Sequence, residues 1–351
     1  MKKNELILQK SARTDDKLRV KALHQWITRH LHYYELITDS LICVASEASY
    51  RRYYRIHSAR TSHSFIIMDS APWLEDNVAF VTVAKLLASA SISVPTIYEW
   101  DQTAGFLLIE DMGEDTLLGL NLHSDCETAR PHYHQAIDTL LKIQANANPD
   151  TLPHYSHPLM RDELNLFIHW NLNKNLHIKL KNRQQQKIIT CLDLITQKNQ
   201  MIARTFVHRD YRPGNLIISC DRKKISIIDF QDAVKGPITY DLVSLLWDSF
   251  HCWDDTFTAQ MVYYYWSAAV TMRLPVASTF SEFENDIYWT CLQRHLRVIG
   301  IFARLGIREG KTRYLQEIHR FNQYLTSRQS HDKKTQPLID LLNQIRARPC
   351  Q

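Results

Sequence analysis

Residues 205–219 read TFVHRDYRPGNLIIS, and residues 224–230 read KISIIDF. Three short apolar runs are embedded here, at 205–208, 215–219 and 224–230. Each has the length and β-branched content of a buried strand. Pro213-Gly214 makes a tight turn between the first and the second. Asp210 stands at the polar exit of the first run, Asn215 opens the second and Asp229 closes the third. A turn at Asp221–Lys224 joins the last two as a hairpin and brings Asn215 and Asp229 together, while the first run delivers Asp210 to the same mouth. Amide and carboxylate oxygens suit a hard cation such as Mg²⁺, which keeps waters and takes remaining ligands from phosphate. Asp210 is then left to accept a hydroxyl proton. Each residue also has a plainer role: Asp210 or Asn215 as an Asx turn, Asp229 as a strand stop. The convergence of all three favours phosphoryl-transfer chemistry. His208 reads as a structural residue bonding loop backbone. Asp241 reads as a helix N-cap that also braces the loop.

Outward from this island, the chain divides by texture. The 351 residues exceed one small core and predict two lobes. Residues 14–32 have helical spacing, with Leu18, Ala22, Trp26 and Ile27 on one face. LICVAS, YYRIHS and SFIIMD read as an antiparallel meander, NVAFVTVAKLLASA as a helix, and TIYEWD with GFLLIED as a hairpin around Gln102–Gly105. Beyond Met112-Gly113 the pattern is helical except for the β island. The expectation is an α+β, bilobal chain: a β-rich lobe over 1–110 with a leading helix, and a helical lobe over 111–351 carrying the catalytic loop. The cleft between such lobes is a natural ligand site.

Composition narrows the class. Hydrophobic residues make up 45% and charged residues 23%, as in ordinary globular proteins. The net charge of +5 is spread along the chain, so nucleic acid is not indicated. Seven cysteines without a C-x-x-C pair fit reduced thiols, not a disulfide frame or zinc site. The N-terminus lacks the apolar core of a signal peptide, and no apolar run reaches membrane-spanning length. The expectation is a cytoplasmic protein without a membrane or obligate protein partner.

HRDYRPGN with IIDF resembles the catalytic loop and metal aspartate of the protein-kinase-like superfamily, and within it the aminoglycoside phosphotransferase-like small-molecule kinases. SYRRYYRI, IIMDSAP, LLIEDMG, IIDFQDAVKGPITYDLVSLLWD and LQRHLRVIGIFARL are similar, in order, to the anomeric kinases of N-acetylmuramate and N-acetylglucosamine in bacterial cell-wall recycling. The resemblance runs from about residue 20 to about residue 325. It implies ATP and Mg²⁺ as cofactors and a small amino sugar as partner. It implies that Asp210 orients the acceptor hydroxyl or takes its proton, and that Asn215 and Asp229 hold the metal. Backbone groups near Glu110 and Met112 would meet the adenine, and the turn 47–52 with Ser49 would cover the phosphates.

One departure stands out. Such kinases place a lysine on the third strand, where this chain has Met68-Asp69. Arg51 or Arg52 is the expected substitute. In LQRHLRVIGIFARLGIR, Leu292, Leu296, Ile299 and Ala303 share one side, and Arg294, Arg297, Arg304 and Arg308 the other. That stripe is either a solvated face or a means of steering an acidic sugar. Arg294 and His295 are the candidates for sugar contact, with Asp232 for a sugar hydroxyl. GIREGKT (306–312) imitates a phosphate loop, but only three residues separate its glycines and it follows a helix, so it reads as a helix end. Two alternatives stay open. One is an amine-bearing acceptor, such as an aminoglycoside, choline or a fructosamine, served by the acidic stretches 248–255 and 281–289. The other is a catalytically silent binding module.

Overall fold

The computed structural model describes residues 18–29, 32–45, 50–61, 63–122, 125–219, 224–249, 253–327 and 332–347. The chain divides into two compact units. One takes the residues up to Lys85 together with Val94–Gly113. The other takes Leu86–Ser93 and everything from Glu114 onward.

The first unit opens with a helix over 18–29 (α1). Strands β1 (Leu36–Ala45), β2 (Arg52–Ser58) and β3 (Ser64–Asp69) follow as an antiparallel meander. After helix α2 (Asn77–Ser89) come β4 (Ile97–Asp101) and β5 (Phe106–Glu110), completing a five-stranded sheet of order β1-β2-β3-β5-β4. Gly105 closes the β4–β5 turn with φ 73°, where a side chain would be strained and its Cβ would fall 2.1 Å from the Ser70 carbonyl oxygen. Leu23, Trp26 and Ile27 of α1 pack on Ile56, Ile67, Phe106 and Leu108 of the sheet. The buried face of α1 is therefore offset from the expected one. Trp26 and Ile27 are in it, but Leu18 and Ala22 are exposed, because residues 23, 26 and 27 form the i, i+3, i+4 stripe that meets the sheet.

The second unit begins with α3 (Cys126–Asn146) and α4 (His157–Leu166), which runs on into a π-helical stretch, Phe167–Asn175. Helix α5 (Asn182–Met201) leads to the β island: β6 (Arg204–Val207), β7 (Leu216–Ile218), β8 (Ile225–Ile227) and β9 (Val234–Pro237). Helices α6 (Tyr240–Leu246), α7 (Asp255–Thr271), α8 (Phe280–Arg308), α9 (Arg313–Ser327) and α10 (Gln336–Arg346) complete it. The island is two separate ladders: β7 pairs with β8, while β6 pairs with β9. Three neighbouring strands were expected. The fourth, VKGP, carries a glycine and a proline, both depleted in strands.

Helix α8 is the axis of the large core. Leu292, Leu296, Ile299 and Ala303 lie in a cluster with residues of the π-helical stretch, α5, α9 and α10. Gly300 permits the close approach, since a Cβ there would sit 2.6 Å from the Leu166 carbonyl carbon and the Phe167 nitrogen. The arginine stripe of α8 is not a solvated face. Arg294 is 2% exposed and Arg297 half-buried, and only Arg308 is open. Both flanks of α8 are covered at its middle, because the helix is packed from several directions. GIREGKT is a helix end: α8 stops at Arg308, and Gly310 turns the chain with φ 69°. The acidic stretches hold helix starts. Asp254 caps α7 through the Phe257 N–H at 2.6 Å, and Thr279 with Glu282 forms a capping box for α8. Among the described residues, Cys43, Cys126, Cys191 and Cys291 are not in a disulfide. Among the described residues, no helix is long and apolar enough to cross a membrane.

Candidate active site

Strand β6 ends at Val207, and the loop that follows is shaped by a buried carboxylate. Asp241, in the first turn of α6, accepts the backbone N–H of His208 at 2.6 Å and of Arg209 at 3.1 Å. Two successive amides converge on it because Arg209 is left-handed, with φ 73°. Asp241 is thus not the N-cap of α6; Thr239 occupies that position. Burial pushes the Asp241 carboxyl up to about 7, against the two N–H donors and Arg294.

His208 joins the two ladders. Its Nε2 contacts the Ile228 carbonyl at 3.1 Å, while its Nδ1 accepts the Asp210 N–H at 3.2 Å. That pair of bonds assigns the neutral ring with the proton on Nε2. Burial, which lowers the imidazole pKa, favours the same form.

Register then assembles the oxygens. Leu216 pairs with Ile227, so Asn215 and Ile228 sit side by side, with the Ile228 N–H on the Asn215 carbonyl at 3.2 Å. Asp229 follows in a left-handed conformation, φ 64°. Asn215 Nδ2 donates to the Asp210 backbone oxygen at 2.9 Å, to Asp210 Oδ2 at 3.1 Å and to Asp229 Oδ2 at 3.4 Å. Gln231 Nε2 donates to Asp229 Oδ1 at 2.8 Å. Asp210, Asn215 and Asp229 are therefore brought together. The Asp210 side chain is 42% exposed, so it is reachable. Burial raises its carboxyl, but Arg212 and Arg294 outweigh that and hold it below the usual range. Burial and the neighbouring Asp210 push Asp229 up.

Three candidates flank this centre differently. Arg294 is buried, with Nε on Ser244 Oγ at 2.6 Å and Nη1 on the Trp247 carbonyl at 3.3 Å, and its charge reaches Asp210, Asp241 and Asp248. His295 is buried beside it in sequence, with its ring near Phe321 and Tyr324 of α9. Asp232 is exposed in the turn beyond Asp229.

In the first unit, Arg51 is buried. Its Nη2 lies 3.1 Å from Glu75 Oε2 and 3.4 Å from the Asp76 carbonyl, and Glu75 Oε1 also takes the Tyr50 N–H at 3.0 Å. Arg52 stands opposite Asp69 in the β2–β3 register, but Asp69 is paired with Arg19 of α1 at 2.6 Å. The Glu110 N–H bonds the Thr96 carbonyl at 2.8 Å, and its carboxylate takes the Thr96 hydroxyl at 2.7 Å. Met112 follows Asp111, whose carboxylate is tied by Arg55 Nε at 2.5 Å, Ser64 Oγ at 2.6 Å and the Gly113 N–H at 3.0 Å. Burial raises Asp111, yet these donors hold it below the usual range. Ser49 lies outside the described residues.

The model of the phosphotransferase enzyme family, APH, matches residues 42–273, about two thirds of the chain and the whole of the loop just described. The chain belongs to this family. Relatives of this phosphotransferase include a Pseudomonas putida protein named N-acetylmuramate/N-acetylglucosamine kinase, 34% identical, with 94% of this chain and 97% of the relative covered. A Pseudomonas aeruginosa protein of the same name is 36% identical, with 88% and 89% covered. Among solved structures, choline kinase LicA from Streptococcus pneumoniae superposes with a TM-score of 0.62 at 15% identity, covering 88% of this chain and 99% of that one. ADP-bound aminoglycoside phosphotransferase APH(2'')-Ib gives 0.53 at 15% identity, covering 84% and 95%. The fold is thus the bilobal protein-kinase-like one.

Several residues of this phosphotransferase escaped the sequence reading. Arg212, two positions past Asp210, places Nε 3.3 Å from Asp210 Oδ2. The signal was present, a cation inside the loop motif itself. Glu163 of α4 accepts from Arg209, from the Tyr155 hydroxyl and, at 3.0 Å, meets Arg297 Nε. Nothing in RDEL marks it. Asp248, read from the sequence only as the start of the acidic stretch 248–255, is buried where the apolar run LVSLLW ends, and a charge closing such a run was a usable signal.

Proposed function

We propose that this phosphotransferase is an ATP-dependent kinase that phosphorylates the anomeric hydroxyl of N-acetylmuramate or N-acetylglucosamine, as a step in recovering cell-wall sugars. The observation that carries it is the convergence of Asp210, Asn215 and Asp229, with Asp210 reachable from solvent, in a chain whose relatives over nearly full length are named N-acetylmuramate/N-acetylglucosamine kinase. Asp210 accepts the hydroxyl's hydrogen bond and takes its proton as the oxygen attacks. Its lowered pKa suits an acceptor whose anomeric hydroxyl is more acidic than an ordinary alcohol. Arg212 stands beside Asp210 to meet the negative charge of the transferring group.

The donor set fits Mg²⁺. Asn215 turns its amide N–H groups toward Asp210 and Asp229, which leaves its carbonyl oxygen for a hard cation beside the Asp229 carboxylate. When bound, Mg²⁺ supplies charge neutralisation on the phosphates. Two relatives of the same fold, solved with ADP and with AMP-PNP, support nucleotide use. In the first unit, Arg51 is the candidate phosphate cation in place of the missing strand lysine, held in position by Glu75. Arg52, Ser49 and the backbone near Glu110 and Met112 remain nucleotide candidates, with Arg294, His295 and Asp232 on the sugar side. ATP use and free thiols fit a cytoplasmic setting.

Phosphorus NMR of the product from N-acetylmuramate and ATP·Mg²⁺ tests the reading. A 1-phosphate is expected. A 6-phosphate removes the anomeric assignment, and no phosphorylated sugar from any amino sugar supplied removes the function.

A further inference from the structure

Among the described residues, three enclosed carboxylates have both oxygens bonded. Asp241 gives its two to backbone N–H groups, Glu163 gives its two to Tyr155 and Arg209, and Asp111 accepts from Arg55, Ser64 and Gly113. Asp248 differs. It is 2% exposed, and Oδ1 accepts the Ser249 N–H at 2.7 Å. Oδ2 is fully buried and has no hydrogen-bond partner among the described residues. An orphaned carboxylate oxygen is costly and persists where function uses it.

Its backbone is clamped from three sides. Arg294 holds the preceding carbonyl of Trp247, the Tyr324 hydroxyl donates to the Asp248 carbonyl at 3.3 Å, and Arg320 donates to the Ser249 carbonyl. Such bracing fixes a side chain before a ligand arrives. Asp248 also belongs to the charge system of the catalytic loop. Arg212, beside Asp210, and Arg294 both lie within electrostatic reach of it.

We propose that Asp248 anchors the acceptor sugar by taking a hydrogen bond on Oδ2 from a neutral donor, a ring hydroxyl or the acetamide N–H. The inference rests on the amino-sugar reading above and assigns the residue that orients that sugar toward Asp210. Arg212 and Arg294 lie within electrostatic reach of Asp248 but are shared with Asp210, and burial still holds the Asp248 carboxyl above its usual range. An ammonium-bearing acceptor would face both guanidinium groups, whereas a hydroxyl supplies the missing donor without adding charge.

The experiment uses the full chain, with turnover of N-acetylglucosamine, its 3-, 4- and 6-deoxy analogues and 2-deoxyglucose, which lacks the acetamide, at saturating ATP. Wild-type turnover of the parent sugar tests the reading itself. Asp248→Asn keeps the volume but turns an acceptor edge into a donor. The expected result is a sugar KM raised by about tenfold to a hundredfold with the ATP KM within about twofold, as for a buried acceptor left mismatched. One deoxy analogue, or the analogue lacking the acetamide, should be poor for wild type and carry no added penalty in the variant. An active wild type with an unchanged sugar KM in Asp248→Asn overturns the inference and leaves the reading intact. So does an equal penalty for every analogue in both proteins. Asp248→Ser is the second variant. If neither folds, wild type decides: use of every analogue within about threefold of the parent overturns the proposal.

Discussion

Two polar clusters adjoin the loop that follows β6, and they differ in whether every carboxylate oxygen has a partner. Behind the loop, Glu163 is enclosed by Arg209, Arg297 and the Tyr155 hydroxyl, and Arg297 reaches the Tyr240 hydroxyl at 3.2 Å. Both carboxylate oxygens are taken. In front, Asp210 and Asp229 share one amide, Asp248 has an oxygen left over, and two residues of the region are left-handed without being glycine. The contrast is in the carboxylates: Arg209 Nε and Arg297 Nε beside Glu163 also lack a hydrogen-bond partner among the described residues, but only in front is a buried carboxylate oxygen left over. Arg209 and Asp210 are adjacent, so a single peptide separates the Glu163 cluster from the one proposed to carry the chemistry.

Mutation should separate the two clusters. The largest expected effect is in front: Asp210→Asn should lower kcat by about a thousandfold or more, with ATP binding and Tm nearly unchanged. Near-normal turnover would remove Asp210 from the chemistry. Behind the loop the balance should reverse. Glu163→Gln leaves two buried arginines without their anion and should cost about 3 kcal/mol of stability, read as a Tm fall of several degrees. Its kcat should fall because Arg209 no longer fixes the loop, while both KM values hold. A stable variant with intact kcat would dissolve the distinction drawn between the clusters.

A smaller change is expected in the first unit. Arg51→Ala should raise the ATP KM several-fold while leaving the sugar KM alone. An unchanged ATP KM would remove Arg51 from the nucleotide side, leaving the Glu75 pair as architecture.

The smallest effect lies far from both clusters. Asp286, in the second turn of α8, is pushed up to about 6 by burial and by Glu282. Between the ordinary carboxyl value and 6, the folded chain binds a proton that the unfolded chain has released. Stability from this group therefore falls as pH rises through 6. Asp286→Asn should flatten that fall, seen as a smaller Tm difference between pH 5 and pH 8 than in wild type. Parallel pH curves for the two proteins would contradict it.

The triad of the front cluster was readable because it depends on local geometry alone. A tight turn and one hairpin fix where Asn215 and Asp229 meet, and a strand exit fixes Asp210. The succession of strands and helices along the first 110 residues followed from periodicity for the same reason. Helix α8 shows where such reading stops. Its spacing placed four arginines on one face, but spacing does not say what that face meets, and Arg294 and Arg297 proved to be inside. Asp241 shows the same limit: its position promised a cap, and its partners are two amides 33 and 32 residues back in the chain. Strand β9 was missed because Gly236 and Pro237 contradict strand propensity, and only pairing with β6 overrides it.

The sequence by itself therefore determined the loop on which Asp210, Asn215 and Asp229 converge and the division into a β-rich and a helical part. These are set by interactions within a few tens of residues. Only the tertiary structure decided which charges are enclosed and which are left open: Glu163 sealed by two arginines, Asp241 turned under the loop, Asp248 buried with one oxygen unclaimed. Burial and pairing of a charge depend on what packs against it from distant parts of the chain, and no local pattern of residues encodes that.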